Sequence, residues 1–367
     1  MRSTRVAVVA PLHFGPGAYV GGGERYPLNL ARGLVAADPS VRVDLVAVGR
    51  PARVEALQPR LAVHVLEVTL PGRNEFDHVA SSLVDVLEAS DVVHVHQAFT
   101  RPSQVALLVA KFLGKPVVLT DHGAMTNTVE QVSGYLDLVD LVICQSRFAA
   151  SQLRSAGRRV VVPGGVDDHF FRPAEKPTSR RHVLFVGRLL PHKGVDRLIS
   201  ALPPDLPLVV VGRPYEQRYA RYVHALAATR DIRFVEDADD LALRSLYRQA
   251  WATVLPSVHR DAWGGVYPAP ELMGLTALES MASGTPAVVS DAAALPEFVR
   301  DGETGFVFGS LSELRERLQA LASGAVDPDA MGRRALGVVR AEYGLGVVGV
   351  RMWAAYTTIR ERAGCAS

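Results

Sequence analysis

Seven residues separate two carboxylates, Glu271 and Glu279, in the stretch GGVYPAPELMGLTALESMASGTPAV at 264–288. Ala277, Leu278, Met281 and Ala282 share one helical face there, and Gly284 followed by Pro286 ends the pattern. The spacing predicts a helix starting near Gly274, with Glu271 in the loop before it and Glu279 about a turn inside. A helix start presents free amides and partial positive charge, so the backbone at Gly274 and Leu275 suits a phosphate. Carboxylates repel a phosphate and instead suit hydroxyls, such as those of a ribose or a sugar ring. A phosphate site flanked by hydroxyl acceptors fits a nucleotide sugar.

Cations stand at a second site. In GRLLPHKG at 187–194, Arg188 and Lys193 follow an apolar strand pattern and precede a helical one. Arginine offers a bidentate fork and lysine a mobile point charge, a good pair for a diphosphate. Most arginines and lysines are solvated surface groups, but glycines at a strand's carboxyl end favour the binding role. His122, in Thr120-Asp-His-Gly, sits similarly after a strand and is the first half's candidate for facing a reacting sugar. His94 and His96 (DVVHVH) are read as alternating along a strand, so that only one faces a cleft, and no third ligand at metal spacing accompanies them. Asp237-Ala-Asp239 matches a cation-holding Asp-x-Asp pattern, but the Leu241, Leu243, Leu246 stripe after it favours helix capping by Asp239 or Asp240. No metal and no nicotinamide cofactor are expected. Glu271 and Glu279 bracket one helix start, which does not suit a hydrolase that needs carboxyls across a scissile bond.

These groups need a scaffold. The 367 residues predict two domains, and 48% hydrophobic with 21% charged residues is a globular balance. A net charge of +2 gives no support for nucleic-acid binding. Two cysteines cannot build a disulfide framework, and no segment is apolar enough to span a bilayer, so a soluble cytoplasmic protein is expected. Short valine-rich runs at 41–48, 61–68, 91–95, 116–120, 139–143 and 159–162 read as buried strands after the first, RVAVV. Between them lie helical patterns at 77–89 and 102–113, and a loop with Gly15, Gly17, Gly21, Gly22 and Gly23 that fits no dinucleotide fingerprint. Gly, Pro and charge collect at 163–178, read as a linker. Strands at 182–187, 207–211, 232–235, 252–255 and 286–290, a helix at 238–250 and a helical tail from about 311 complete a second half. The fold class is α/β, two Rossmann-like parallel-sheet domains facing a deep cleft.

Taken together, these residues resemble the retaining glycosyltransferases of family 4, which have GT-B architecture. The resemblance is carried by GGGERY…LARGL, DVVHVH, Asp121-His-Gly, PGGVD, GRLLPHKG, LPS at 255–257, ELMGLTALESMASGTPAVVSD and DGETGF at 301–306. It implies an acceptor-side domain at 1–168, a nucleotide-sugar domain at 169–345 and a last helix, 346–367, crossing back to the first. By resemblance, Arg188 and Lys193 would bind the donor diphosphate, Glu279 the ribose, Glu271 the donor sugar, and His122 would lie near the transferred carbon. Gly22 and Gly23 would bring backbone near the phosphates. The implied reaction is hexosyl or aminohexosyl transfer from a UDP- or GDP-linked sugar to a hydroxyl, with retention. A nucleotide-sugar epimerase is the alternative. Two departures stand out: the segment HRDAWGGVYPAP between Ser257 and Glu271 is long, and PGGVD has a glycine where asparagine is common. The helix at 101–115 carries Arg101, Lys111 and Lys115 with few aromatics, so a soluble small-molecule acceptor is expected.

Overall fold

The computed structural model describes residues 3–10, 22–123, 135–153, 157–176 and 178–365. The chain divides into two compact units, Met1–Gly165 with Leu345–Ser367, and Val166–Gly344. The last helix therefore belongs to the first unit, and the second unit is one uninterrupted stretch.

The first unit holds β1 (Thr4–Val9), α1 (Gly22–Ala37), β2 (Val41–Val48), β3 (Arg53–Gln58), β4 (Leu61–Leu66), α2 (Leu83–Glu88), β5 (Val92–His96), α3 (Arg101–Phe112), β6 (Val117–Thr120), β7 (Leu141–Cys144), α4 (Arg147–Gln152) and β8 (Arg159–Val161). Its eight-stranded sheet runs β3-β4-β2-β1-β5-β6-β7-β8, parallel except for the antiparallel β3–β4 edge. The apolar runs are strands because they are covered on both faces: Val6, Ala7 and Val8 of β1 are fully buried. Backbone meets backbone at one helix crossing, where a Cβ on Gly349 would lie 2.0 Å from the Gly33 carbonyl oxygen of α1. Only hydrogen at both positions allows that approach.

The second unit holds β9 (His182–Val186), α5 (Val195–Ala201), β10 (Leu208–Val211), α6 (Gln217–Ala227), β11 (Ile232–Val235), α7 (Asp240–Gln249), β12 (Ala250–Leu255), α8 (Leu275–Ala282), β13 (Ala287–Ser290), β14 (Gly305–Phe308), α9 (Leu311–Ala322) and α10 (Pro328–Glu342). α11 (Leu345–Cys365) follows. The six strands run β11-β10-β9-β12-β13-β14, all parallel. Among the described residues no helix is long and apolar enough to cross a membrane.

The structure corrects three readings. The helix predicted over 77–89 is shorter, because Val79 pairs with Leu70 as an antiparallel bridge and so is extended. β3, β14 and the helix α6 were not predicted; β3 is mostly exposed and α6 is rich in arginine and tyrosine, so neither shows an apolar run. His94 and His96 do not face opposite ways, because residues two apart on a strand share a face, and their rings lie 4.4 Å apart.

Candidate functional site

In the second unit, β9 ends at Val186 and the chain passes through Arg188 into a single 3-10 turn at Pro191–Lys193. Gly194 then adopts a left-handed φ of 69°, and a Cβ there would sit 2.1 Å from the Pro256 carbonyl oxygen. Glycine alone lets this turn press against the end of β12. The amide of Val258 donates to the His192 carbonyl at 2.9 Å and completes the seam. Lys193 is thereby carried to Glu271: Nζ donates to Oε1 at 2.5 Å, and Ser257 Oγ donates to the same oxygen at 3.0 Å. Both charged side chains are 15% exposed, so the ion pair is shielded from most of the solvent but still reachable.

Arg188 is exposed, with its guanidinium over the Tyr215 ring at 5.6 Å. The His192 ring lies 4.8 Å from that of Tyr267, tilted by 40° to it. Burial, with Lys193 and Arg188 nearby, pushes its imidazole down to about 3, so it is neutral at pH 7.

Helix α8 begins at Leu275 behind Gly274, with no side-chain cap at that end. Its first intrahelical bond is from Leu278 N to the Gly274 carbonyl at 3.0 Å, which leaves the amides of Leu275, Thr276 and Ala277 outside the helix ladder. Glu271 precedes this end as predicted from spacing. Glu279 lies a turn inside it, 3% exposed, and accepts a hydrogen bond from Tyr247 OH at 2.9 Å. Tyr247 was missed by sequence reasoning. It continues the Leu243 and Leu246 stripe of α7, where a tyrosine reads as core unless its hydroxyl's partner is asked for.

Asp239 caps α7 through the Ala242 amide at 2.7 Å, and Asp237 is held by Arg213. The Asp-x-Asp pattern is thus engaged in capping and an ion pair.

The first unit carries the other predicted residues. Gly22 and Gly23 open α1, whereas Gly15, Gly17 and Gly21 lie outside the described residues. His122 follows β6, and both its ring nitrogens have protein partners. Gln145 Nε2 donates to the Asp121 carbonyl at 2.7 Å and to His122 Nδ1 at 3.2 Å. His122 Nε2 therefore carries the proton and donates to His96 Nδ1 at 3.0 Å. His94 continues the network, with Nδ1 at 2.6 Å from Tyr356 OH of α11 and Nε2 at 2.9 Å from Thr120 Oγ1. Burial lowers His122 to about 4 and His94 to about 3, so these imidazoles are neutral at pH 7. Gln145 and Tyr356 had no sequence signal, since both partnerships form between elements far apart in the chain.

The profile of "Glycosyl transferases group 1" matches residues 166–335, and that of "Glycosyltransferase Family 4" matches residues 20–170. The chain is 29% identical over 430 residues to the D-inositol 3-phosphate glycosyltransferase of Thermobispora bispora, covering 98% of this chain and 96% of that one. It is 32% identical to the glycogen synthase of Mycobacterium tuberculosis over 67% of its own length. The match spans only 62% of that relative, somewhat under two thirds of its length. Among solved structures, sucrose-phosphate synthase from Thermosynechococcus elongatus superposes with a TM-score of 0.74 at 21% identity, covering 99% of this chain and 100% of that one. Anabaena Alr3699/HepE in complex with UDP-glucose gives 0.70 at 18% identity, covering 96% and 99%. These likenesses establish the fold: two parallel-sheet α/β units of the GT-B type.

Proposed function

The chain belongs to glycosyltransferase family 4, and from that premise we propose that it moves a hexosyl or aminohexosyl unit from a nucleoside-diphosphate sugar, UDP- or GDP-linked, to a hydroxyl of a small-molecule acceptor. The observation that carries this reading is the Lys193–Glu271 ion pair, set in front of the uncapped start of α8. An incoming pyrophosphate takes Lys193 Nζ and the amides of Leu275 and its neighbours, with Arg188 as the second cation. That contact draws the ammonium off Glu271, whose carboxylate then accepts from sugar hydroxyls. Glu279 takes the ribose, with Tyr247 fixing its carboxylate. The second unit is thus the donor domain; from the first, Gly22 and Gly23 bring backbone near the phosphates, and His122 serves the reacting carbon.

Negative charge grows on the departing nucleoside diphosphate as the glycosidic bond breaks. Cations and helix-end amides aimed there stabilise the transition state more than the ground state. His122 has both ring nitrogens engaged by Gln145 and His96, so its imidazole is not positioned to act as a nucleophile on the sugar. The departing phosphate therefore takes the acceptor's proton on the same face, and configuration is retained. A cytoplasmic setting fits the two cysteines, too few for a disulfide framework.

The test is a thermal-shift panel of UDP, GDP, dTDP and ADP and their common sugar conjugates. A ligand at 100 times its dissociation constant stabilises by about 2.7 kcal/mol. One nucleotide series is expected to raise the melting temperature of the wild type and not of Lys193→Ala. Equal shifts in the two proteins defeat the assignment, and so does a glycosyl adduct trapped on a side chain.

A further inference from the structure

The segment between Ser257 and Glu271 returns on itself at the ion pair. Its neck is the Ser257 Oγ bond to Glu271 Oε1 at 3.0 Å, so the loop's two ends meet on the oxygen that also binds Lys193. Within the loop, Asp261 is the organising group. Its Oδ1 accepts from the amides of Trp263 and Gly265, each at 2.8 Å, and its Oδ2 accepts from Tyr267 OH at 3.0 Å. Arg260 and Val266 pair as an antiparallel bridge, and Tyr267 N donates to the His259 carbonyl at 2.8 Å. The turn needs its glycines: Gly264 has a φ of 84°, and a Cβ on Gly265 would lie 2.5 Å from Asp261 Oδ2.

The tip is anchored elsewhere. Trp263 packs edge-on against Tyr219 at 5.8 Å and beside Tyr222 at 5.6 Å, both on α6, with the Arg218 guanidinium 4.6 Å over its ring. A loop tied at its neck, its middle and its tip is a fixed feature rather than a swinging one.

What it holds in place is a pair of rings beside the donor groups. Tyr267 lies four residues before Glu271, and His192 is the residue before Lys193. Their centroids are 4.8 Å apart. Among the described residues no hydrogen bond reaches either nitrogen of the His192 ring. A neutral imidazole offers one donor and one acceptor, and an aromatic face suits the C–H side of a pyranose. That combination can tell one hexose from another by the direction of a hydroxyl.

We propose that residues 258–267 form a rigid lip that selects the donor's sugar, with Tyr267 and His192 as the reading pair and Asp261 and Trp263 as the residues that position them. This rests on the donor reading of the Lys193–Glu271 site, deepening it from a nucleoside diphosphate to its sugar.

Calorimetric titration of the full chain separates the two. The ligands are UDP, UDP-glucose, UDP-galactose and UDP-N-acetylglucosamine, with GDP, GDP-mannose and GDP-fucose as the second series. In the wild type, sugars on one nucleoside diphosphate are expected to differ in affinity by roughly tenfold or more. In Tyr267→Ala and His192→Ala that spread should shrink to about threefold, while the bare nucleoside diphosphate stays within about twofold of wild type. Trp263→Ala, which touches no ligand, should narrow the spread in the same way by releasing the tip. Asp261→Asn serves as a milder second positioning variant if Trp263→Ala does not fold. An unchanged spread in the ring variants overturns the proposal. So does a wild type that does not discriminate, or a loss of bare-diphosphate affinity with the spread intact. Lys193→Ala that binds the bare diphosphate like wild type instead overturns the donor site itself.

Discussion

At the scale of single residues, charge and burial decide most of what this protein can do. Lys193 and Glu271 are opposite charges in contact, each 15% exposed, and each neutralises the other until a ligand competes. Lys193→Ala and Glu271→Ala are each expected to cost on the order of 10²-fold in transfer rate, read as kcat/KM for the donor. Near-wild-type turnover in both would remove them from the machinery. Glu279 is 3% exposed, and Tyr247 OH meets one of its oxygens. Tyr247→Phe should therefore lower stability by about 1–3 kcal/mol in urea unfolding, since a buried acceptor loses a donor. The histidines set a pH dependence. His122 and His94 are pushed by burial from 6.5 to about 4 and about 3, so the unfolded chain binds their protons first as pH falls. Their contribution is complete above about pH 6.5 and declines from there toward pH 4 and 3. Melting temperatures measured across that window should drop, and His94→Gln should flatten the drop. A flat profile in the wild type would mean that these rings are not held neutral.

At the scale of elements, the apolar strands announce themselves because each must be covered on both faces, and five of the six strands in the second unit, all but β14, are legible from short apolar runs. β3 and α6 escaped because their residues face water or pack through tyrosines, so no run of apolar residues marks them. The Glu271–Glu279 spacing placed the start of α8 correctly, since a glycine before and a glycine after bound a helix locally. The 77–89 pattern failed because Val79 found a partner in Leu70, a tertiary pairing that overrides helical periodicity. The α1–α11 crossing makes its own prediction. Gly349→Ala places a methyl 2.0 Å from the Gly33 carbonyl oxygen, so the helices must part. We expect a loss of about 1–3 kcal/mol, seen as a lower midpoint in chemical denaturation. The sequence predicts few aromatics on helix α3, and its one aromatic, Phe112, is 91% exposed, with Leu108 55% exposed on the same helix.

At the scale of the whole molecule, the second unit is continuous from Val166 to Gly344, while the first is assembled from both ends of the chain. Arg188, Lys193, Glu271 and Glu279, the groups proposed to bind the donor, all lie in that continuous stretch. A fragment spanning 166–344 should therefore keep its affinity for the nucleoside diphosphate by calorimetry. Removal of 345–367 should instead destabilise the first unit, because Tyr356 and Met352 of α11 are fully buried in it. Preserved first-unit unfolding in that truncation would contradict the placement. The residue types and spacings alone determined the two parallel-sheet halves, the helix after Glu271 and the cations after β9, because continuous apolar runs, glycines and helix ends act through neighbours in the chain. The tertiary structure alone decided that Lys193 closes on Glu271, that Tyr247 holds Glu279, that Gln145 and His96 engage His122, and that Trp263 pins the 258–267 lip to α6. Each of these joins residues brought together by packing of separate elements, and local pattern carries no record of which distant side chain will fill a given space.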